Sequence, residues 1–362
     1  EGKMKRMKII GLGMLVTSGS LIAEGMINTP KSTTQADLVA PVLTKAKYKY
    51  VKKPITADDG ALHGYVRMHH IFDGNDNGFD PVTGSTLGFG LGYGQEVIDG
   101  LKIGVELYGV MDSGLTDTDE TAIAYGQFLN EVKHPDELDA GFTWGAHIRY
   151  EGDHFKAMIG RSQFKSPMTK IQITHVPNLY EYVRVDSQLF DGEASFSYIT
   201  KMAYGSRSAG DFGLIGENTA TAGMAITPFK NPNAYLERGK YFDISDTVNG
   251  TDSNGILVLG YEKRVKKFNF KVWDFMIDDV ANNLYVEGAY KYLLGKGKAF
   301  KVSAHLWNQN INNDLYEANY GGTLLGVEAL LKWGNLIGKF AYETKDDGGL
   351  LNAWGVKPAF MP

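Results

Sequence analysis

Residues 142–150 have the sequence Phe-Thr-Trp-Gly-Ala-His-Ile-Arg-Tyr, in which apolar and polar side chains alternate. In a β-strand, successive side chains point to opposite faces. The apolar side chains would share one face: Phe142, Trp144, Ala146, Ile148 and Tyr150. The polar or small ones would share the other: Thr143, Gly145, His147 and Arg149. The stretch therefore predicts a strand with one apolar and one polar face.

The same alternation recurs along the chain, at 101–108, 284–292, 300–306 and 336–343. A half-buried sheet of a water-soluble protein would also alternate in this way. Two features favour a lipid-facing barrel: the segments are about ten residues long, and aromatic residues such as Trp144, Tyr292 and Trp333 lie near their ends. We therefore predict an all-β fold, a transmembrane antiparallel β-barrel with charged residues in the lumen.

Composition excludes several classes of protein. The chain has 362 residues, 44 of them glycine, and no cysteine, which excludes disulfide scaffolds, zinc ribbons and thiol nucleophiles. Its 37 basic and 42 acidic side chains give a net charge of −5, so the sequence predicts no nucleic-acid partner. The segment from Asp73 to Gly84 resembles the start of a calcium loop but lacks the bidentate glutamate, and we predict no metal and no cofactor.

The N-terminal segment predicts export. Lys3, Lys5, Arg6 and Lys8 precede an uncharged run to Ile22, which is typical of a signal peptide over residues 1–23. A buried helix is the alternative. A lysine-rich leader over residues 24–59 and a barrel over residues 60–362 would follow, and the predicted location is the bacterial outer membrane.

Connection lengths support this arrangement, because outer-membrane barrels alternate short turns with longer loops. We count about thirteen strands, including one within residues 220–246. Single-chain bacterial barrels have an even number of strands, so further strands are expected beyond Pro362. The third long connection, Ser162–Asp191, is expected to fold into the lumen.

Two stretches resemble the OprD family of substrate-specific outer-membrane porins. In residues 157–198 the resemblance rests on Gly160-Arg161, Pro167, Val185-Asp186-Ser187 and Phe190-Asp191-Gly192. In residues 343–362 it rests on a glycine pair and Asn-Ala-Trp-Gly, with Ala353 where proline is usual. The family's Asp-x-Arg is Asp186-Ser187-Gln188 here, with the arginine at Arg184. The resemblance implies a barrel of about eighteen strands that passes carboxylate-bearing nutrients or basic amino acids by diffusion.

Charged and tyrosine side chains are the candidate channel-lining residues, because such groups select solutes by charge and by replacing hydration. The predicted lining and constriction residues are Arg67, Arg149, Arg161, Lys165, Tyr180, Glu181, Tyr182, Arg184 and Asp186. Further cations on the polar strand faces are Lys102, Lys291, Lys301 and Lys339. Each of them could equally be a solvated residue of the lumen with no special role.

The predicted function is passive, selective diffusion of small solutes: carboxylates, amino acids or ions. The chain contains no Gly-x-Ser-x-Gly and no His-Glu-x-x-His, so we predict that it is not an enzyme. A structural or adhesive barrel with a closed lumen is the alternative. The expected partners are small solutes, outer-membrane lipid and lipopolysaccharide, and the protein could be a monomer or a trimer.

Overall fold

A computed structural model describes residues 61–73, 82–115, 141–169, 175–203, 205, 239–244, 253–312 and 321–346. The predicted signal peptide and lysine-rich leader lie outside these residues. So does most of the second OprD-like stretch, from residue 347 onward. Among the described residues, no helix is long and apolar enough to cross a membrane.

The described residues form fourteen strands in one sheet. The strands are β1 (Ala61–Asp73), β2 (Val82–Ile98), β3 (Leu101–Asp112), β4 (Gly141–Glu151), β5 (Phe155–Ser162), β6 (Leu179–Leu189), β7 (Gly192–Ala203), β8 (Tyr241–Asp243), β9 (Ile256–Val265), β10 (Phe268–Ile277), β11 (Ala281–Gly295), β12 (Lys298–Ile311), β13 (Gly322–Trp333) and β14 (Leu336–Lys345).

The sheet follows chain order, and every neighbouring pair is antiparallel. β7 pairs directly with β9, while the three-residue β8 pairs with the end of β7 and lies off the main path. Among the described strands, β1 and β14 are the two edges and are not paired with each other. The all-β, antiparallel prediction is confirmed.

The main path holds thirteen strands, and about thirteen were predicted, but its membership differs from the prediction at two places. Leu179–Leu189 was placed in a loop and is strand β6. Conversely, the only described strand within 220–246 is β8, which does not join the path. The inward residues of β6 are tyrosine and charged, so no apolar run marked the strand, and two nearby prolines favoured a loop.

Short and long connections alternate along most of the sheet. β6 and β7 are joined by Phe190 and Asp191 alone, whose φ angles of 49° and 59° fit a tight hairpin turn. The connections after β2, β4, β9, β11 and β13 are also short. These turns lie at one end of the sheet, which we call the turn end, and the opposite end is the loop end.

The two faces of the sheet have an inverted distribution of polarity. On the outward face, large apolar side chains are exposed, for example Val66 at 63% and Trp144 at 54%. On the inward face, polar side chains are buried, for example Arg149 at 2% and Glu287 at 5%. A soluble protein buries its apolar face instead, so this sheet is built for apolar surroundings outside.

Aromatic side chains mark both ends of the outward face. Those near the turn end are Tyr150, Phe155, Phe190, Phe268, Tyr292, Phe300 and Trp333. Those near the loop end are Phe142, Trp144, Tyr198 and Tyr342. Aromatic side chains favour the boundary between hydrocarbon and water, so the two groups bound an apolar band of membrane height.

The described parts of the third long connection, residues 163–169 and 175–178 between β5 and β6, pack against the inward face, as predicted. Its Phe164 and Met168 join one buried cluster with the loop-end halves of the strands from β5 to β13. Val176 joins a second cluster with Tyr108 and Val110 of β3. The interior is therefore apolar toward the loop end, whereas its ion pairs lie in the middle and toward the turn end.

Candidate functional site

Arg184 and Asp186 lie together on the inward face of β6. Arg184 Nε donates to Asp186 Oδ1 at 2.9 Å and to Oδ2 at 3.0 Å, and Arg184 Nη1 donates to the Lys165 carbonyl oxygen at 2.9 Å. Ser195 of β7 donates to the same carboxylate. Arg184 thus ties the third connection to the wall. Both residues were predicted to lie in a loop, and the strand fixes their positions more firmly than a loop would.

Aromatic rings surround this guanidinium. Its carbon lies 5.5 Å from the ring centroids of Phe164 and of Trp273 on β10. Arginine stacks favourably on aromatic faces, and partial exclusion of water strengthens this cation–π attraction. Arg184 therefore lies where the charged and apolar parts of the interior meet.

Tyr180 and Tyr182 of β6 pack against the third connection. Both are buried, at 2% and 4% exposure, and both pack edge-on against Phe164. The Tyr182 hydroxyl lies 3.1 Å from Ser162 Oγ and 3.2 Å from the Gln163 carbonyl oxygen. The structure thus shows these two tyrosines as packing residues of the connection.

Arg149 and Lys102 share one carboxylate at the turn end. Arg149 Nε lies 3.2 Å from Glu151 Oε1, and Lys102 Nζ lies 3.3 Å from Glu151 Oε2. All three side chains are buried in the wall formed by β3 and β4. Glu151 therefore serves two cations, and the buried carboxyl group of Glu106 on β3 lies within electrostatic range of Arg149.

Arg161 and Glu181 pair with each other at the loop end, at 2.7 Å between Nε and Oε2. By alternation they share the face of Ile159, the outward face, and the Arg161 guanidinium lies 5.3 Å from the centroid of the exposed ring of Trp144. The guanidinium also lies over Tyr241 at 4.3 Å. The contacts of Arg161 thus link the loop ends of β4, β5, β6 and β8. That Arg161 and Glu181 line the channel stays a prediction.

The other end of the third connection rests on β1 and β2. The buried His175 Nε2 lies 2.7 Å from Thr86 Oγ1, and the Tyr65 hydroxyl donates to the His175 carbonyl oxygen at 2.5 Å. The imidazole lies over Gly88, where a Cβ atom would collide with the ring. Arg67, a predicted lining residue, neighbours Gly88 in the β1–β2 register and lies 5.1 Å from the Tyr65 ring centroid.

Lys301 and Lys339 also share a carboxylate, that of Glu328 on β13, at 3.6 and 2.9 Å. Lys291 pairs in register with Lys301 on the same face and is exposed near the turn end. Lys165, in the third connection, has an exposed side chain.

The structure can be compared with known proteins. Neither a protein-family model nor a curated protein matches the sequence. Solved structures do. OccAB2 of Acinetobacter baumannii matches with a TM-score of 0.56 at 12% identity, over 80% of this chain and 70% of that chain. OccK9 (OpdG) of Pseudomonas aeruginosa matches with 0.56 at 13% identity, over 79% and 67%.

A third match is OpdK of P. aeruginosa, solved with vanillate, with a TM-score of 0.57 at 12% identity over 82% of this chain and 68% of that chain. OpdK is also described as an outer membrane protein. This chain has the OprD-family fold. It spans about two thirds of the length of these proteins, and identities this low establish the fold alone.

Within this OprD fold, carboxylates pair with most of the predicted cations. Glu151 and Glu328 each lie between two cations, and Glu287 pairs with Lys271 at 3.2 Å. The sequence analysis named the cations of the wall but, apart from Glu181 and Asp186, missed the carboxylates that pair with them. Alternation already placed Glu106, Glu287 and Glu343 on the polar faces, so counting both signs per face would have found part of this set.

Among the described residues, no group of three or more His, Asp or Glu side chains is arranged to hold a metal ion. The chemistry available on the inward face is that of hydrogen bonds and ion pairs. Such groups can bind a charged solute weakly and release it, which is what permeation requires.

Proposed function

We propose that this protein is a channel of the bacterial outer membrane that lets small solutes diffuse passively and selects them by charge. The observation that carries the proposal is the inverted sheet: exposed apolar side chains outside and buried ion pairs inside. A wall of this kind is stable only with lipid around it and water or solute within it. The OprD fold supports the same reading.

The favoured solute class is small carboxylates. Arg149 and Lys102 share Glu151, and Lys301 and Lys339 share Glu328, so each of these two ion-pair groups contains more cations than carboxylates. A carboxylate could exchange its hydration for these donors and pass on. A structural neighbour, OpdK, was solved with vanillate, an aromatic carboxylate.

A closed structural or adhesive barrel is the second candidate, and one observation favours it. Phe164 and Met168 of the third connection are buried at 2% and 0% in the interior apolar cluster. If this cluster filled the cross-section, solutes would not pass, and the outer loops would carry the function.

Electrical recording from the refolded protein in planar bilayers separates the two. We expect discrete openings, a reversal potential in a salt gradient that indicates anion preference, and block by vanillate or benzoate but not by arginine. A folded, inserted protein that conducts no current would instead establish the closed barrel. Block by arginine alone would overturn the carboxylate assignment while leaving the channel.

A further inference from the structure

Charge is distributed unevenly around the turn end of the sheet. In β9 to β14 the segments 263–268, 288–302 and 329–342 contain ten Lys or Arg residues and no Asp or Glu. In β2 to β7 the segments 95–102, 149–156 and 188–193 contain six Asp or Glu residues and three Lys or Arg residues. The turn end is thus basic along one sector and acidic along the other.

Four lysines of the basic sector lie in two adjacent turns. Lys266 and Lys267 join β9 to β10, while Lys296 and Lys298 lie at the junction of β11 and β12. We call these four residues the basic rim. The two turns are separated by two strand spacings, or about 10 Å.

Contacts place two of the rim lysines, Lys267 and Lys298, on the outside of the sheet. Lys267 Nζ lies 4.3 Å from the ring centroid of Tyr292, and Lys298 Nζ lies 3.6 Å from that of Trp333. Both rings are on the outward face, at 44% and 52% exposure. Lys298 is directly opposite Trp333 in the β12–β13 register. These ammonium groups therefore lie on the outer perimeter, outside the lumen.

The inward lysines of the same sector behave differently. Lys301 and Lys339 point to the interior and pair with Glu328. No ion pair between described residues involves Lys266, Lys267, Lys296 or Lys298. A cation held on an interfacial aromatic ring lies at the height of lipid headgroups, with its charge available to them.

We infer that the basic rim binds the phosphate headgroups of anionic phospholipids in the leaflet at the turn end. This inference rests on the proposed function, since it requires the outward face to be in a bilayer. The occupant is lipid because the rim's cations are anchored on lipid-facing rings. A soluble acidic partner would not need that placement. The acidic sector in β2 to β7 would not attract anionic headgroups. Anionic lipids would therefore gather on one side of the protein.

Trp333 is the reporter that tests this inference. In a W144F/W354F background Trp333 is the outward-facing tryptophan, while Trp273 and Trp307 are buried in the interior at 2% and 1%. The protein is inserted into phosphatidylcholine vesicles, and quenching by brominated phosphatidylglycerol is compared with quenching by brominated phosphatidylcholine. Their ratio gives the relative affinity of the site next to Trp333 for the anionic lipid.

We expect phosphatidylglycerol to be preferred by about fivefold per contributing lysine at low salt, with the preference falling as salt is added. K267Q/K298Q removes two of the four rim lysines and should lower the ratio sharply, while K267R/K298R should retain it. K201Q/K345Q removes two lysines at the loop end and should leave the ratio unchanged.

Two results would overturn the inference: equal quenching by both lipids in the parent protein, or an undiminished preference in K267Q/K298Q. Failure of the proposed function looks different. If neither brominated lipid quenches Trp333, the outward face does not contact lipid, and the membrane assignment fails together with the rim.

Discussion

At the residue scale, the interior depends on a few buried charges whose partners are fixed by the strand register. Asp186 is 4% exposed and receives hydrogen bonds from Arg184 and Ser195. Removing one partner of a buried pair is costly, because the other charge then stays desolvated and uncompensated. Arg184 also holds the Lys165 carbonyl oxygen, so its loss should affect both the wall and the third connection.

We therefore predict that R184Q lowers the free energy of unfolding by about 3 kcal/mol and shifts the channel toward cations. Urea unfolding in detergent micelles and the reversal potential in a salt gradient measure the two effects. R264Q, an exposed arginine at the turn end, is the matched control and should change stability little. Equal stability of the two variants would show that the Arg184 cluster contributes nothing to the fold.

His175 predicts a pH dependence of the third connection. Burial, together with smaller contributions from the neighbouring His69 and Arg67, lowers the pKa of His175 to about 3. Because the folded pKa lies below the ordinary value of 6.5, the stability that the packed, neutral His175 contributes to the third connection is fully present above pH 6.5. This stabilisation is lost as the pH falls toward the folded pKa, by about 1 kcal/mol per pH unit.

Hydrogen–deuterium exchange over Phe164–Met168 measures this effect. At about pH 4.5 we expect faster exchange in the wild type than in H175Q at the same pH, because glutamine does not titrate. The two proteins should exchange alike at about pH 7.5, where His175 is neutral. H154Q removes an exposed histidine at the turn end and should behave as the wild type does. Parallel acid sensitivity of wild type and H175Q would contradict the prediction.

At the scale of elements, the third connection and β2 form a matched pair. β2 presents a row of inward glycines, and the His175 ring occupies the space that a side chain at Gly88 would fill. In the sequence alone, the row shows only as glycines at the alternate positions 88, 90, 92 and 94. Its role requires the approach of a segment almost ninety positions away, and no local pattern indicates such a contact.

We predict that G88A displaces His175 and loosens the third connection, because the added Cβ would collide with the imidazole. The expected result is a larger or noisier single-channel conductance, by a factor of about two if the connection restricts the cross-section. G338A is the control, since a Cβ there meets nothing within 4 Å. Identical conductance in both variants would mean that the connection does not narrow the path.

The strands show how far a sequence can predict such a structure. Alternation in β4, β11 and β12 predicted both faces correctly, since burying one face imposes a period of two. It failed for β6, whose inward Tyr180 and Tyr182 belong to the interior cluster and whose inward Arg184 lies beside it. The carboxylates Glu151 and Glu328 were also missed as partners of the predicted cations, because the register between strands decides which carboxylate meets which cation.

At the scale of the whole molecule, the selectivity of the proposed channel should depend on how charges pair inside it. Glu328 compensates Lys301 and Lys339, so neutralising it leaves two cations in one sector of the wall. We predict that E328Q raises the anion preference, most strongly at low salt, because screening shortens the reach of these charges. Reversal potentials at low and high salt measure the change.

D153N is the control for this prediction, because it removes an exposed carboxylate from a turn while leaving the inward pairs intact. A shift of equal size in D153N would show that overall charge, and not the Glu328 sector, determines the preference. No shift in either variant would indicate that permeating ions do not pass near Lys301 and Lys339.

The third connection also has a consequence for how the protein assembles. One of its ends contacts β1 and β2 through His175, and the other contacts β10 through Phe164, so the two ends are anchored on either side of β5 and β6. Those contacts can form only after hairpins distant in sequence have come together, and such non-local steps are slow. Refolding should therefore pass through a late intermediate in which the strands are already paired but the third connection has not yet packed into the interior.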